Sequence, residues 1–272
     1  MKQAAFLSSP INLSLTAMPA WTRPLVSLAG FLLLWQAVVL TGRVPHEYLP
    51  GVAVVGQAFV EQLGASEFWI GEGLTVSRAI GGLLLATVTG VGAALLGGRY
   101  RVVERALSPL VQIMLSLPPA ALVPLSIFAL GLGGKLFAFI IWFAGVWSIY
   151  LSAANALKSS EPVQLQVAAT LGYGPWEVMW RVRLPAAAPE IFTGIRLAAA
   201  GCLMAAVAAE MLAGKDGLGF MLYDTAFSLR IPEMFALLVV AGLNGVLLNQ
   251  IVMRLARALS GWHYQLSAMA DT

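Results

Sequence analysis

Charged side chains are rare within the long apolar runs of this sequence, where an isolated charge is costly. Glu210 lies in VAAEMLAG near the end of the run 191–212, and Arg78 lies in LTVSRAIGG near the start of the run 74–98. A carboxylate within a membrane span faces a cavity or a partner by default, although one close to a helix end can also extend to the interface. Arg78 has three interpretations: a partner for Glu210, an attractor of anions, or a side chain that extends to the lipid head groups.

The residue patterns of common enzyme chemistries are missing from the sequence. No nucleophile is paired with a base, and no GxxxxGK[ST] sequence that would hold nucleotide phosphates is present. The single cysteine, Cys202, and the two histidines exclude an internal disulfide framework and a multi-cysteine metal site. We therefore expect no catalytic residue, no metal ion and no cofactor, and energy from ATP would have to come from a partner protein.

The largest polar stretch between apolar runs covers residues 158–190. Pro162 is placed to begin a helix, since proline is favoured in the first turn, and glycines at 172 and 174 followed by Pro175 are placed to end it. A second helix should begin at Pro175 and end at Leu184 and Pro185. The segment is thus predicted to form two short helices joined by a tight turn, or alternatively a solvated loop with aromatic residues in the membrane interface.

The elements that position these residues are membrane spans. Of the 272 residues, 59% are hydrophobic and only 11% are charged, against about a quarter charged in a soluble domain. A spanning helix needs roughly 20 mainly apolar residues, and six runs qualify. They are 24–42, 74–98, 107–130, 136–157, 191–212 and 235–253. The formal net charge of +3 is too small to indicate nucleic-acid binding.

The third run contains several prolines, which remove backbone donors and clash with the preceding turn. Pro118, Pro119 and Pro124 predict a span that is kinked or broken. A broken helix is tolerated where it lines a pathway, and a merely kinked helix is the alternative.

Basic residues predict the orientation, because loops on the cytoplasmic side are enriched in Lys and Arg. With the N-terminus inside, eleven of the 16 Lys and Arg residues fall on the inner side. The outer side receives the other five: Arg43, Arg78, Lys135, Lys215 and Arg230. Both termini and the segment 158–190 are therefore predicted to be cytoplasmic.

The domain boundaries follow from these spans. We expect a cytoplasmic tail at 1–23, a first span at 24–42, an outer connector at 43–73, a core at 74–257 and a cytoplasmic tail at 258–272. Within the connector, residues 48–64 have the spacing of a helix that lies along the outer face, or they form a plain connector that caps the bundle.

The polar stretch resembles the cytoplasmic signature of permease subunits of ATP-binding cassette importers. That signature is EAA, three free positions, G, nine free positions, I, one free position, LP. Ala168, Gly172, Leu184 and Pro185 match, and Val182 is a conservative replacement. Gln166 and Val167 depart from the Glu and Ala of the signature, which puts one charged contact in doubt.

The resemblance implies that this segment is a coupling element that docks on a separate ATPase subunit. The residues assigned to coupling on this basis are Gln166, Ala168, Ala169, Gly172, Gly174, Trp176, Val182, Leu184 and Pro185.

Longer stretches of the chain look like permeases of the nitrate, sulfonate, taurine and bicarbonate type. The resemblance covers roughly 48–264 and implies an all-α membrane protein with the type I importer fold in a bacterial inner membrane. It also implies three partners: a second copy of the chain, two ATPase subunits inside, and a solute-binding protein outside.

The resemblance also directs attention to a gate. It places an acid at Glu210, which would hold gate structure rather than bind an anionic substrate, and it places the GLG of Gly217 and Gly219 near the outer gate. A turn alone also explains these glycines. Together with Arg78 and the prolines Pro118, Pro119 and Pro124, these residues form the predicted pathway or gate set.

The predicted function is therefore the translocation pathway of an importer for a small solute, with a small anion favoured. The alternative is a channel or secondary carrier that needs no ATPase, although the spans hold few ionisable residues for an ion or proton relay. Uncharged heterocycles remain open as substrates.

Overall fold

The computed structural model describes residues 22–159 and 162–259, and within them every regular element is helical. The elements are α1 (Thr22–Leu40), α2 (Val52–Gly64), α3 (Ser66–Arg99), α4 (Arg101–Leu115), a 3₁₀ turn (Pro119–Leu122), α5 (Val123–Leu130), α6 (Gly134–Lys158), α7 (Pro162–Thr170), α8 (Pro175–Val178), a π turn (Met179–Arg183), α9 (Leu184–Ala213), α10 (Leu218–Phe227) and α11 (Ile231–Leu259).

Five helical segments of this described part are long and apolar enough to cross a membrane. A sixth crossing results if the bent pair made of Arg101–Leu115 and Pro119–Leu130 counts as one span. The expectation of an all-α membrane protein with about six spans is confirmed.

The core of the bundle is formed by α3, α6 and α9, which pack closely because small residues face one another. Gly82 on α3 lies against Ile141 of α6, and a Cβ at Gly82 would collide with that side chain. Gly145 on α6 lies against the fully buried Cys202 of α9. Lipid tails are as apolar as these helices, so close van der Waals packing supplies much of the association energy.

The first two helices lie outside this core. α1 buries only Val39, and it is tied to the connector by a hydrogen bond from Trp35 Nε1 to the Pro50 carbonyl at 3.1 Å. α2 packs on the beginning of α11, where Val55 and Ala58 share a small cluster with Ala236. The connector therefore contains a helix, and α3 begins at Ser66, inside the region predicted as connector.

The third predicted span is broken rather than smoothly kinked. α4 ends at Leu115, and the chain resumes as a helix at Pro119 with a bend of 95° between the two parts. Pro119 and Pro124 each occupy the first turn of a helical element, where the missing N–H has no intrahelical partner to lose. The break therefore separates α4 from two elements that begin with proline in their first turn, the 3₁₀ turn at Pro119 and α5 with Pro124.

The prediction that Leu184 and Pro185 end a helix is wrong. The segment Pro175–Ala213 is continuous and helical, because the π turn Met179–Arg183 precedes Pro185. The Leu184 N–H donates to the Met179 carbonyl, five residues back. This wider turn accommodates the proline ring, which in a regular α-helix would clash with the carbonyl of Arg181.

The long helix α3 joins two polar ends of the molecule. Thr75 near its beginning and Gly98 near its end are separated by 23 positions, which corresponds to about 35 Å at a rise of 1.5 Å per residue. The first end carries Arg78 and Glu210. The second contacts the α7–α8 segment, by which we mean residues 162–183, because Gly98 lies against the Met179 side chain.

We expect Gly82→Leu to destabilise the protein by about 1–3 kcal/mol, the usual cost of forcing extra methylenes into a packed core. The thermal midpoint of the detergent-solubilised protein measures this. Gly81→Leu is the matched control, since a Cβ at Gly81 meets no atom within 4 Å. Equal midpoints for the two variants would show that the α3–α6 contact is not tightly packed.

Candidate functional site

Glu210 is fully buried at one end of the bundle, with 0% of its side chain exposed. Its Oε1 accepts a hydrogen bond from Arg78 Nη1 at 2.7 Å. Its Oε2 accepts one from the Thr75 hydroxyl at 2.7 Å and one from the Gly219 N–H at 3.0 Å. A buried carboxylate is stable only when paired and hydrogen-bonded, and both of its oxygens meet that condition.

Arg78 is held by three groups from different elements. One end of its guanidinium contacts Glu210, and Nη2 donates to Asp216 Oδ1 at 2.6 Å. The guanidinium carbon also lies 4.3 Å from the centre of the Phe137 ring on α6, a distance at which a cation is attracted to the ring face. The side chain therefore ties α3 to α6, to α9 and to the turn before α10.

The beginning of α10 completes this network, which we call the Glu210 network (Thr75, Arg78, Glu210, Asp216 and the α10 amides). The Leu218 N–H donates to Thr75 Oγ1 at 2.8 Å, and the Gly219 N–H reaches Glu210. The first N–H groups of a helix lack intrahelical partners, and a carboxylate there is favoured by the helix dipole.

The glycines around the network permit a close backbone approach. Gly217 adopts φ 96° and ψ 167°, a region that is essentially restricted to glycine. A Cβ there would overlap the Glu210 carboxylate, and a Cβ at Gly219 would overlap the Val207 carbonyl. These glycines are thus needed for contact with Glu210, beyond the turn that the sequence indicated.

The structure brings together four of the residues singled out from the sequence: Arg78, Glu210, Gly217 and Gly219. Sequence reasoning missed Thr75, Asp216 and Phe137, which complete the network. The only sequence signal for Thr75 is its position three residues before Arg78, because residues three apart share a helix face. Pro118, Pro119 and Pro124 lie in the broken span and do not join the network.

The second candidate site is the α7–α8 segment at the other end of α3. α7 ends in a glycine cap, with Gly172 at φ 73°. The Gly172 N–H donates to the Ala169 carbonyl and the Tyr173 N–H to the Ala168 carbonyl, both at 3.1 Å. This is the Schellman pattern, and it gives the spacing between Ala168 and Gly172 a physical reason.

A second cap begins α8. The Gly174 N–H donates to Glu177 Oε2 at 3.0 Å, and Pro175 occupies the first turn. The two caps fix the direction of the chain through the turn. The segment is therefore an ordered helix–turn–helix element that continues into α9, not an irregular loop.

Four of the nine residues assigned to coupling are exposed, and one is buried. Gln166, Ala169, Gly172 and Trp176 are exposed, whereas Ala168 is buried; Gly174, Val182, Leu184 and Pro185 are half-buried. Sequence reasoning missed an exposed apolar row on α7 and the turn, formed by Val163, Val167 and Leu171. Spacing of four residues places these side chains on one face.

The described residues contain no group of three or more His, Cys, Asp or Glu side chains that could hold a metal ion. The Glu210 network is closed by internal partners, so it offers a structural junction rather than reactive groups.

Comparison with known proteins adds the evolutionary context. Residues 76–262 match the family described as binding-protein-dependent transport system inner membrane component. The chain is 28% identical over 248 residues to the nitrate import permease protein of Synechocystis, which covers 88% of this chain and 90% of that protein. It is also 28% identical over 242 residues to the taurine transport system permease protein of Escherichia coli, covering 87% and 88% respectively.

A solved structure shares the fold. The methionine ABC transporter MetNI, in an inward-facing conformation, matches with a TM-score of 0.60 at 18% identity, over 70% of this chain and 96% of the matched chain.

We expect Glu210→Gln to destabilise the protein by about 3 kcal/mol, because it leaves the partly buried Arg78 without its inner carboxylate. Asp216→Asn is the control, since this carboxylate is 52% exposed and such pairs contribute less than about 1 kcal/mol. Thermal midpoints in detergent compare the two. A larger loss for Asp216→Asn would contradict the assignment of Glu210 as the centre of the network.

Gly217→Ala should destabilise the protein more than Gly131→Ala. Both glycines have closely similar backbone angles, with Gly131 at φ 73° and ψ 177°, so both variants carry a backbone strain of about 1–3 kcal/mol. Only the Cβ at Gly217 meets the Glu210 carboxylate. Denaturation midpoints that coincide would indicate that the carboxylate can move away without loss.

Proposed function

The chain belongs to the family of binding-protein-dependent transport system inner membrane components, and we propose that two copies of it form the pathway for a small anion. It is a permease subunit of an ABC importer with the type I fold. In the proposed assembly a solute-binding protein docks at the Glu210 end, and two ATPase subunits dock on the α7–α8 segments.

The observation that carries this proposal is that two different ordered elements, the Glu210 network and the α7–α8 segment, lie at opposite ends of one tightly packed helix core. α3 runs from the Glu210 network to the α7–α8 segment, and α9 is continuous with that segment through the π turn. Movement of the segment would therefore be transmitted along α9 to Glu210. Docking at one end and ATP binding at the other would then bias the same conformational equilibrium.

A protein partner for the α7–α8 segment is supported by its exposed apolar side chains. Val163, Val167 and Leu171 are 66%, 53% and 62% exposed, and Trp176 lies on the next helix. An apolar row with this spacing on a short, capped helix is suited to a hydrophobic groove on a partner. The chain contains no P-loop of its own, so we assign ATP hydrolysis to that partner.

The distribution of charge supports a cytoplasmic position for this end. Arg99, Arg101 and Arg105 lie at the junction of α3 and α4, and Lys158, Arg181 and Arg183 lie around the α7–α8 segment. The excess of basic residues follows the rule for cytoplasmic loops. Cellular ATP would then be available on the side where the ATPase is needed.

The Glu210 network is proposed to hold the outer gate. Its carboxylate is paired with Arg78 and accepts hydrogen bonds from Thr75 and the Gly219 N–H, so a passing anion would meet little unpaired negative charge from it. Gly217 and Gly219 let α10 sit directly on this carboxylate. The broken span at Pro118, Pro119 and Pro124 is proposed to line the pathway, since irregular backbone is tolerated there.

The substrate class is proposed from relatives whose names specify nitrate and taurine. Both solutes carry a compact group with negatively charged oxygens, as do other sulfonates and bicarbonate. Calorimetric titration of the associated solute-binding protein with nitrate, taurine and bicarbonate would identify the solute, and uptake would then be measured with that solute.

We expect Gly172→Val to reduce ATP-dependent uptake about five- to 150-fold in proteoliposomes that contain the ATPase and the binding protein. A β-branched residue at φ 73° costs about 1–3 kcal/mol. If this strain weakens coupling at the docking element by the same free energy, it corresponds to a change of about five- to 150-fold. Uptake of the identified solute and ATP hydrolysis would be measured together.

Gly42→Val is the matched control. Gly42 follows α1 with φ 67°, and a Cβ added at Gly42 or at Gly172 would meet no atom within 4 Å. It should leave uptake near the wild-type level. If Gly172→Val also leaves uptake intact, or if the chain transports the solute without any ATPase, the coupled-importer proposal fails in favour of a channel or secondary carrier.

A further inference from the structure

A cavity of about 340 Å³ lies where the end of α3 meets the α7–α8 segment. Its walls include two arginines and no acidic residue. The side chains used in the argument are Arg99, Tyr173, Met179 and Arg183, with Gly98 beneath them. We call it the Arg99–Arg183 pocket, and its volume is within the usual range for ligand sites, about 300–1,000 Å³.

The two arginines of this pocket lack ion-pair partners among the described residues. Two nearby basic residues do have them: Lys158 pairs with Glu104 at 2.5 Å, and Arg181 lies 4.0 Å from Glu177. Moreover, Arg183 Nε is buried and makes no hydrogen bond. A buried donor on a charged group is costly to leave unsatisfied, so the pocket is electrostatically incomplete.

We propose that the Arg99–Arg183 pocket binds a phosphate group, supplied by the headgroup of an anionic lipid. Guanidinium groups match phosphate oxygens in a paired, planar geometry. A bound phosphate would place negative charge between two positive side chains that lack ion-pair partners among the described residues.

The surroundings of the pocket favour a lipid as the source of the phosphate. Tyr100 and Trp180 each follow a pocket residue in the chain and are 47% and 54% exposed, and the Arg99 guanidinium carbon lies 5.1 Å from the centre of the Tyr100 ring. Exposed aromatic side chains beside basic residues mark the level of the lipid head groups. A headgroup at this position would touch both α3 and the α7–α8 segment, so the lipid would bridge the helix core and the coupling element.

Native mass spectrometry of the delipidated, full-length protein tests the proposal. Phosphatidylglycerol is titrated into the micelles, and phosphatidylcholine serves as the neutral lipid. We expect phosphatidylglycerol to bind preferentially, and we expect Arg99→Gln and Arg183→Gln each to weaken this binding about fivefold. Arg183→Lys, which retains the charge, should weaken it less than Arg183→Gln.

Arg105→Gln is the matched control, because it removes one positive charge from the same end without touching the pocket. It should retain phosphatidylglycerol like the wild type. Thermal midpoints verify folding, and Arg99, which is exposed at the end of its helix, provides the test if the Arg183 variant does not fold.

A competition with inorganic phosphate separates the two sources of the group. Persistence of bound phosphatidylglycerol in millimolar phosphate supports the lipid headgroup, whereas displacement supports the same anion site filled by free phosphate. The proposal is overturned if the Arg99→Gln, Arg183→Gln double variant binds phosphatidylglycerol as the wild type does, or if Arg105→Gln weakens binding equally. Neither readout depends on transport.

Discussion

A fully buried carboxylate cannot remain charged in an apolar bundle without partners, and the end of this molecule is built around that constraint at Glu210. Arg78 supplies the opposite charge, Thr75 a hydroxyl, and the first turn of α10 a backbone amide. Thr75 and Arg78 lie on α3, and the amide lies at the beginning of α10. The helices α3, α9 and α10 must therefore keep their relative positions for the carboxylate to keep its hydrogen bonds. Glycine is required at 217 and 219 because a Cβ there would overlap the Glu210 carboxylate or the Val207 carbonyl.

The same end is connected to the other through close helix packing. Small residues on α3, α6 and α9 allow the backbones to approach, so that these helices form one body. Packed interiors transmit displacement because they have few voids in which it could be absorbed. The π turn keeps α9 continuous with α8, so the α7–α8 segment is joined directly to the helix that carries Glu210.

The α7–α8 segment shows how short motifs can have separate physical causes. Gly172 is required by the cap of α7, Glu177 caps the beginning of α8, and Pro185 is accommodated by the π turn. The exposed row of Val163, Val167 and Leu171 has no part in these caps. It follows that the signature residues shape the element, whereas its exposed apolar row is supplied by other residues.

The sequence by itself determined the helical class, the approximate spans, an irregularity at the prolines and the position of the turn at Gly172. These features depend on hydrophobicity along the chain and on local backbone chemistry, which neighbouring residues reveal. It also identified Glu210 and Arg78 as costly charges, but left three interpretations of Arg78 open. Only the tertiary structure decided that they pair, that Thr75, Asp216 and Phe137 complete the network, and that the helix continues through Pro185. Those outcomes depend on contacts between residues far apart in the chain and on a backbone widening that no local pattern announces.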